Sequence, residues 1–205
     1  MTQSSTDFPL RCRCGYVHGA AQQVTPRAGF RFVCYCRDCQ AFARFLGRPD
    51  VLDVAGGTDI FQMPTGRVKL IGGIDTVRCV HISRTVFRWY CSCCRTPIGN
   101  TAGPRFPVIG LIHSFMDHDG DGRSRDVVLG APLCRLHEHS ATGRLASNAP
   151  PPPSLKVSAL RTSRILAWWL RGLGHPNPFF NEQTNAPISS PEEINDGGAH
   201  APPLP

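Results

Sequence analysis

Apolar positions in the first ninety residues fall in short runs that alternate with polar ones or carry β-branched side chains, and glycines separate the runs. Gly29-Phe30-Arg31-Phe32-Val33, Thr58 to Met63, Val68 to Ile71, Cys79 to Ile82 and Thr85 to Tyr90 each read as a strand on this basis. Asp38 to Phe45 is an exception, because Gln40-Ala41-Phe42-Ala43-Arg44-Phe45 has the propensity of a short helix. A second helix is expected from Leu155 to Leu173, with Arg161, Arg164 and Arg171 on one side and Leu166, Trp169, Leu170 and Leu173 on another. No internal repeat is present. The pattern predicts a mainly β fold with one helix appended.

Proline and charge mark where the β part ends. Eleven of the 19 prolines lie from Pro150 onward, starting with Pro150-Pro151-Pro152-Pro153, a run that favours a stiff polyproline II spacer. All 22 Lys and Arg lie at or before Arg171, with 11 of the 15 acids, so that part carries +11; the rest carries four acids and no Lys or Arg. The expected organisation is a β domain over 8–148, a proline-rich spacer over 149–154, an amphipathic helix and return segment over 155–188, and a disordered tail over 189–205. A basic amphipathic helix can lie on a membrane or pair with a partner. Here Pro176, Pro178, Phe179 and Phe180 favour a return onto its own domain.

Ten cysteines change the picture most. Residues 1–10, MTQSSTDFPL, show no basic start, apolar run or cleavage signature, so a reducing, cytoplasmic setting is expected, where cysteines are thiols or metal ligands. No stretch approaches the roughly 18 apolar residues of a membrane span. Cys34-Tyr35-Cys36-Arg37-Asp38-Cys39 places three thiols where one soft metal ion can take all of them. Three protein ligands are the number of a catalytic zinc that keeps one position open, whereas four close a structural site. Such a closed site is available from Cys12-Arg13-Cys14 with Cys91-Ser92-Cys93-Cys94. A C-x-x-C turn can aim Cys91 and Cys94 at one ion, and C-x-C puts Cys12 and Cys14 on one side of an extended segment. Cys93 is an alternative to Cys94, being on the same side of a strand as Cys91; the knuckle is the commoner zinc arrangement and is preferred. Two Zn²⁺ per chain are expected. For the triplet, His18, His81 or Cys79 would make the site structural by supplying a fourth ligand.

Three segments carry a family resemblance: Cys12 to Val17, Val33 to Gln40, and Arg88 to Pro97. In this order they resemble the glutathione-dependent formaldehyde-activating enzyme family, which includes the centromere protein V type domain. The resemblance covers about residues 10–115 and points to a side branch of that family. It implies a small zinc-bound stack of β-sheets, a structural zinc on Cys12, Cys14, Cys91 and Cys94, and a second zinc on Cys34, Cys36 and Cys39. It also implies carbon–sulfur lyase chemistry that joins formaldehyde to glutathione as S-hydroxymethylglutathione or releases it. Three positions depart from the family pattern: Tyr35 stands for a common His, Gln40 for Arg and Arg95 for Gly. These departures bear on the substrate more than on the metal.

Three thiolates leave Zn²⁺ with net −1, poor for making hydroxide but suited to holding a further thiolate. A small thiol substrate or thiol adduct is therefore expected, with Cys34, Cys36 and Cys39 acting through the second zinc and Asp38 or Tyr35 as candidates to relay a proton. The alternative is a non-catalytic zinc-stabilised interaction module. Asp117 to Gly122 fits the start of an EF-hand loop but has Val128 where Glu is required, and reads as a hairpin loop. Cys134 to His139 lacks a metalloprotease spacing and reads as an exposed loop. The net charge of +7 comes from scattered arginines with no basic run, so nucleic acid is not an expected partner.

Overall fold

The structure, a computed structural model, describes residues 6–83, 85–116 and 125–194. It is mostly β, in two sheets. The smaller is antiparallel, built from β1 (Thr6–Arg11), β2 (His18–Val24) and a strand at Val68–Gly72 that is the fifth along the chain. Between these come β3 (Phe30–Cys34), a helix α1 (Arg37–Phe45) and β4 (Thr58–Pro64). After the fifth strand, β5, follow β6 (Val77–His81), β7 (Phe87–Cys91), β8 (Pro97–Thr101) and β9 (Val108–Ile112). Then come α2 (Arg125–Leu129), β10 (Cys134–Leu136), α3 (Leu155–Leu170) and β11 (Glu192–Glu193). The larger sheet runs β10-β3-β4-β9-β8-β7-β6-β11. Its inner neighbours are antiparallel, while the edge strands β10 and β11 lie parallel to β3 and β6.

The alternation read along the strands places their two faces. Phe61 and Met63 of β4, Trp89 of β7 and Leu111 of β9 share one core with Phe8 and Leu10 of β1, Ala21 of β2 and Val68 of β5, so the small sheet is stacked on the large one. On the opposite face Phe42, Phe45 and Leu46 of α1 pack against Val80, Tyr90 and Ile112. Each buried aromatic of this kind contributes about 1.5–3 kcal/mol. A third cluster, Phe30, Phe32, Ile60, Cys34, Cys39 and Cys134, lies where β3, β4 and β10 meet α1, with Val157 of α3 against it.

Residues 149–154 form neither helix nor strand, and the Arg135 N–H donates to Pro151 O at 2.9 Å. Ser154 caps the start of α3, its Oγ accepting from Val157 N. It returns onto the β domain, but with the face opposite to the one apolar patterning favours. Val157, Arg161, Arg164, Ile165 and Trp168 form the less exposed stripe, whereas Leu166, Trp169 and Leu170 face outward, Leu170 at 70 % exposure. The guanidinium groups find partners inside: Arg161 Nε donates to Gln62 Oε1 at 2.9 Å and its guanidinium lies over the Phe32 ring, while Arg164 donates to Gly29 O. The chain beyond α3 is anchored by Phe179 and Phe180, both buried against Trp89 at ring distances of 5.1 and 5.6 Å. Leu173 and His175 pass so close to Gly66, between β4 and β5, that a Cβ there would meet His175 O at 2.3 Å.

Within the segment 189–205, expected as a tail, β11 extends the large sheet, and Ile194 donates its N–H to His81 O at 3.0 Å and is buried beside α1. Residues 195–205 lie outside the described residues. Among the described residues no helix is long and apolar enough to cross a membrane.

Candidate metal and thiol site

Two groups of cysteines converge, and each could hold a metal ion. Tetrahedral coordination with metal–sulfur bonds of about 2.3 Å requires sulfurs about 3.8 Å apart. The ligand atoms of Cys12, Cys14, Cys91 and Cys94 all lie within 4.8 Å of one another, and so do those of Cys34, Cys36 and Cys39. Both donor sets are soft and closely spaced, which suits a thiophilic ion.

The four-thiol group ties the end of β1 to the β7–β8 hairpin. A turn closed by Gly15 N to Cys12 O at 2.8 Å brings Cys12 and Cys14 together, and Arg95 N to Cys91 O, also 2.8 Å, closes the C-x-x-C knuckle. Arg95 takes φ +55°, the left-handed conformation that explains why glycine suits this position. Thr96 braces both halves: its Oγ1 accepts from Arg13 N at 3.0 Å and Arg48 Nη1 at 3.3 Å and lies 3.1 Å from Cys94 Sγ. Hydrogen bonds from the Cys12 and Cys91 thiols and from Thr96 hold Cys94 far below its ordinary pKa. Cys93 is exposed and outside the group.

The triplet sits where β3 runs into α1. Cys36 is the N-cap, its Sγ accepting from Cys39 N at 3.4 Å, so the positive end of the helix faces the sulfurs. Hydrogen bonds from Cys34 and Cys39, with the Arg88 charge, lower the Cys36 pKa. Arg88 is the residue that sequence reasoning missed. It projects from β7, is only 4 % exposed, and reaches Cys39 Sγ at 3.8 Å, Asn100 Oδ1 at 3.4 Å and Asp38 Oδ2 at 3.4 Å. Burial works against its charge, but the thiolates of Cys39 and Cys36 outweigh that and raise its pKa. Its Nε–H has no hydrogen-bond partner.

The triplet opens into a cavity of about 290 Å³, whose walls include Arg88, Asn100, Gln62, Arg161, Phe106 and His137. Arg161 comes from α3, so the appended helix forms part of the wall. His137, exposed at the rim, follows β10; the segment Cys134 to His139 is thus an edge strand and turn rather than a free loop. Nothing local in the sequence marks Arg88, which reaches the triplet only through the pairing of the strands.

No residue among those described joins the triplet as a fourth ligand. His18 Nδ1 contacts Tyr16 O at 3.0 Å, His81 Nδ1 contacts Val86 O at 2.9 Å, and burial pushes the Cys79 thiol up to about 12, as expected of a packed, inert sulfur. Tyr35 is not at the site: its hydroxyl donates to Asp53 Oδ2 at 2.8 Å on the other side of the strand, beside Val33 and Ala55. Asp38 pairs with Arg88 and lies outside the cavity wall. Gln40, where the resembled family has Arg, donates to Tyr35 O and Ser140 O at 2.8 and 2.9 Å and holds the turn rather than a ligand. The segment Asp117 to Gly122 lies outside the described residues.

No curated protein matches the chain. A crystal structure of a Rhodobacter sphaeroides protein from a structural genomics programme is similar, with a TM-score of 0.42 at 15 % identity, over 60 % of this chain and 96 % of that one. A family model matches residues 4–185, nearly the whole chain, and on that match the protein belongs to the family of unknown function DUF6151.

Proposed function

We propose that the protein carries out zinc-dependent carbon–sulfur lyase-type chemistry on a thiol adduct, of which S-hydroxymethylglutathione is the form implied by the family resemblance. The observation that carries this reading is the cavity above Cys34, Cys36 and Cys39, which no fourth protein ligand closes among the described residues. The four-thiol group would hold a structural zinc. The triplet would hold the second, and the ion bound there would supply Lewis acidity and a preference for a further thiolate.

The side chains around the cavity do the rest. Arg88 brings a fixed positive charge within reach of the sulfurs and offsets the excess of negative charge that three thiolates create. Its free Nε–H and the Asn100 amide can take an oxygen of the adduct. In the cleavage direction the adduct's hydroxyl proton passes to the His137 imidazole, the C=O bond forms, and the C–S electron pair leaves with sulfur. Addition is the reverse. Arg161 and Gln62, linked to each other, form the cavity wall on the α3 side.

A second reading, a zinc-stabilised interaction module, is favoured by the outward apolar face of Leu166, Trp169 and Leu170. One experiment separates the two. Protein loaded with Co²⁺ is titrated with small thiols, and the sulfur-to-cobalt charge-transfer band reports each added sulfur. The enzyme reading expects the band to rise in the wild type but not in Cys36→Ser, and the same samples to consume a hemithioacetal. An unchanged band with every thiol decides for the interaction module.

A further inference from the structure

The thiol cavity is not isolated. Ala102 and Phe106 line it on one side and on their other side line a second, larger groove of about 790 Å³ between the 102–107 loop and α3. Small-molecule sites occupy about 300–1,000 Å³, so the thiol cavity has the size of a head-group pocket and the groove the size of a ligand body. The two differ in chemistry. The first has thiols, Arg88, Arg161 and Asn100. The second is walled chiefly by Pro104, Phe106, Pro107, Ile165, Leu166 and Trp169, with Arg105 its one formally charged side chain.

We propose that this groove seats the apolar arm of the molecule whose sulfur enters the thiol cavity, so that the substrate class is a thiol or thiol adduct bearing a large aliphatic or aromatic body. The inference rests on the thiol-binding reading given above and narrows it. Continuity through Phe106 and Ala102 argues for one ligand spanning both spaces. Glutathione carries two carboxylates and two amides, and a groove with one charged side chain offers them few partners. An arm of methylenes or a ring would bury against Trp169 and Leu166, which α3 otherwise leaves in water at 61 % and 52 % exposure. The arginine face of α3 turned inward is what presents these apolar residues to the groove.

The test uses the full chain loaded with Co²⁺ under anaerobic conditions. Its charge-transfer band is titrated with 2-mercaptoethanol, glutathione and n-alkanethiols from butane- to octanethiol. Affinity should rise about two- to fourfold per methylene, the factor expected from burying each CH₂. Leu166→Glu should flatten that gradient, and Leu155→Glu, on the same helix but outside the groove, should keep it. Short thiols that bind with no gradient would overturn the substrate class while leaving the thiol site standing. Failure of every thiol to bind removes the thiol site itself and the inference with it. A flat gradient accompanied by self-association that Leu166→Glu abolishes in sedimentation assigns the groove to a second copy of the chain and overturns the proposal.

Discussion

Arg88 Nη1 lies 3.8 Å from Cys39 Sγ although 49 residues separate the two, and this contact joins β7 to the metal-capable turn before α1. The arginine is buried, stacks over Phe42 at 5.8 Å and has few acceptors of its own apart from sulfur, Asn100 and Asp38. Removing the charge therefore falls on the thiolates. Arg88→Met should weaken metal binding at the triplet by about 10- to 100-fold, the usual effect of losing an outer partner of metal ligands. Chelator competition on the two-metal protein measures it, with the four-thiol group as internal reference. Equal weakening of both sites would mean that Arg88 acts on the fold as a whole.

Stoichiometry and folding separate the two cysteine groups. The protein purified in reductant should hold about two zinc ions per chain. Cys12→Ser should lose the fold, because the group it belongs to closes contacts between segments some eighty residues apart. Cys36→Ser should stay folded and lose one ion. Cys93→Ser should keep both, and Cys93 should be alkylated readily in the metal-loaded protein while the buried Cys79 is spared. Protection of Cys93 together with alkylation of Cys94 would reverse the ligand assignment.

The thiol groups were legible because their spacing is local: C-x-C and C-x-x-C predispose sulfurs to converge whatever the rest of the fold does. The strands from Phe30 to Cys91 followed from periodicity, α1 from helix propensity and α3 from its amphipathic spacing, all of them local signals. Partnerships across the sheet were not legible. Alternation along Phe87-Arg88-Trp89-Tyr90 puts Arg88 opposite the Trp89 core, but only pairing shows that α1 and Cys39 wait there. The parallel edge strands β10 and β11 are too short to stand out by pattern. The orientation of α3 misleads in a physical way. Its apolar face is the wider one, yet the surface it covers offers Gln62, Phe32 and Gly29 O, which hold guanidinium groups better than they hold leucines.

Acid stability should report the network between β3 and α2. Arg31, 5 % exposed, bonds Asp59 at 2.7 Å and Asp126 at 2.6 Å, and Arg125 reaches the same Asp59 oxygen at 2.7 Å. Burial alone would raise the Asp59 pKa, but Arg31 and Arg125 outweigh it and the value is lowered. A carboxylate with a depressed folded pKa contributes stability above its unfolded value, about 3.9, and loses it as pH falls through the lower folded value. Asp59→Asn should therefore cost about 1.5–3 kcal/mol at pH 7, because the buried Arg31 guanidinium keeps only the exposed Asp126 carboxylate and the Gly130 carbonyl as strong acceptors. The gap between wild type and variant in urea unfolding should narrow below about pH 4. A gap that stays constant down to pH 3 would show that the charge of Asp59 contributes nothing.

The return of the chain after α3 hangs on a backbone contact that only glycine permits. Gly66 N donates to Leu173 O at 2.9 Å, and a Cβ at residue 66 would lie 2.3 Å from His175 O and 2.8 Å from Leu173 O, both backbone atoms that cannot step aside as a side chain would. Gly66→Ala should lift the 173–175 segment and destabilise the protein by about 1–3 kcal/mol, in the range of overpacking in a filled site. Because Phe179 and Phe180 follow directly and pack on Trp89, the same change should loosen α3, the wall that supplies Arg161 to the thiol cavity. Limited proteolysis should then cut between residues 150 and 180 faster than in wild type. Phe179→Ala, which deletes a side chain with no exposed surface, should give the same cleavage pattern at a larger cost of about 3–5 kcal/mol. If Gly66→Ala leaves proteolysis and stability unchanged while Phe179→Ala alters both, the anchor is the aromatic pair alone and the close pass over Gly66 is incidental.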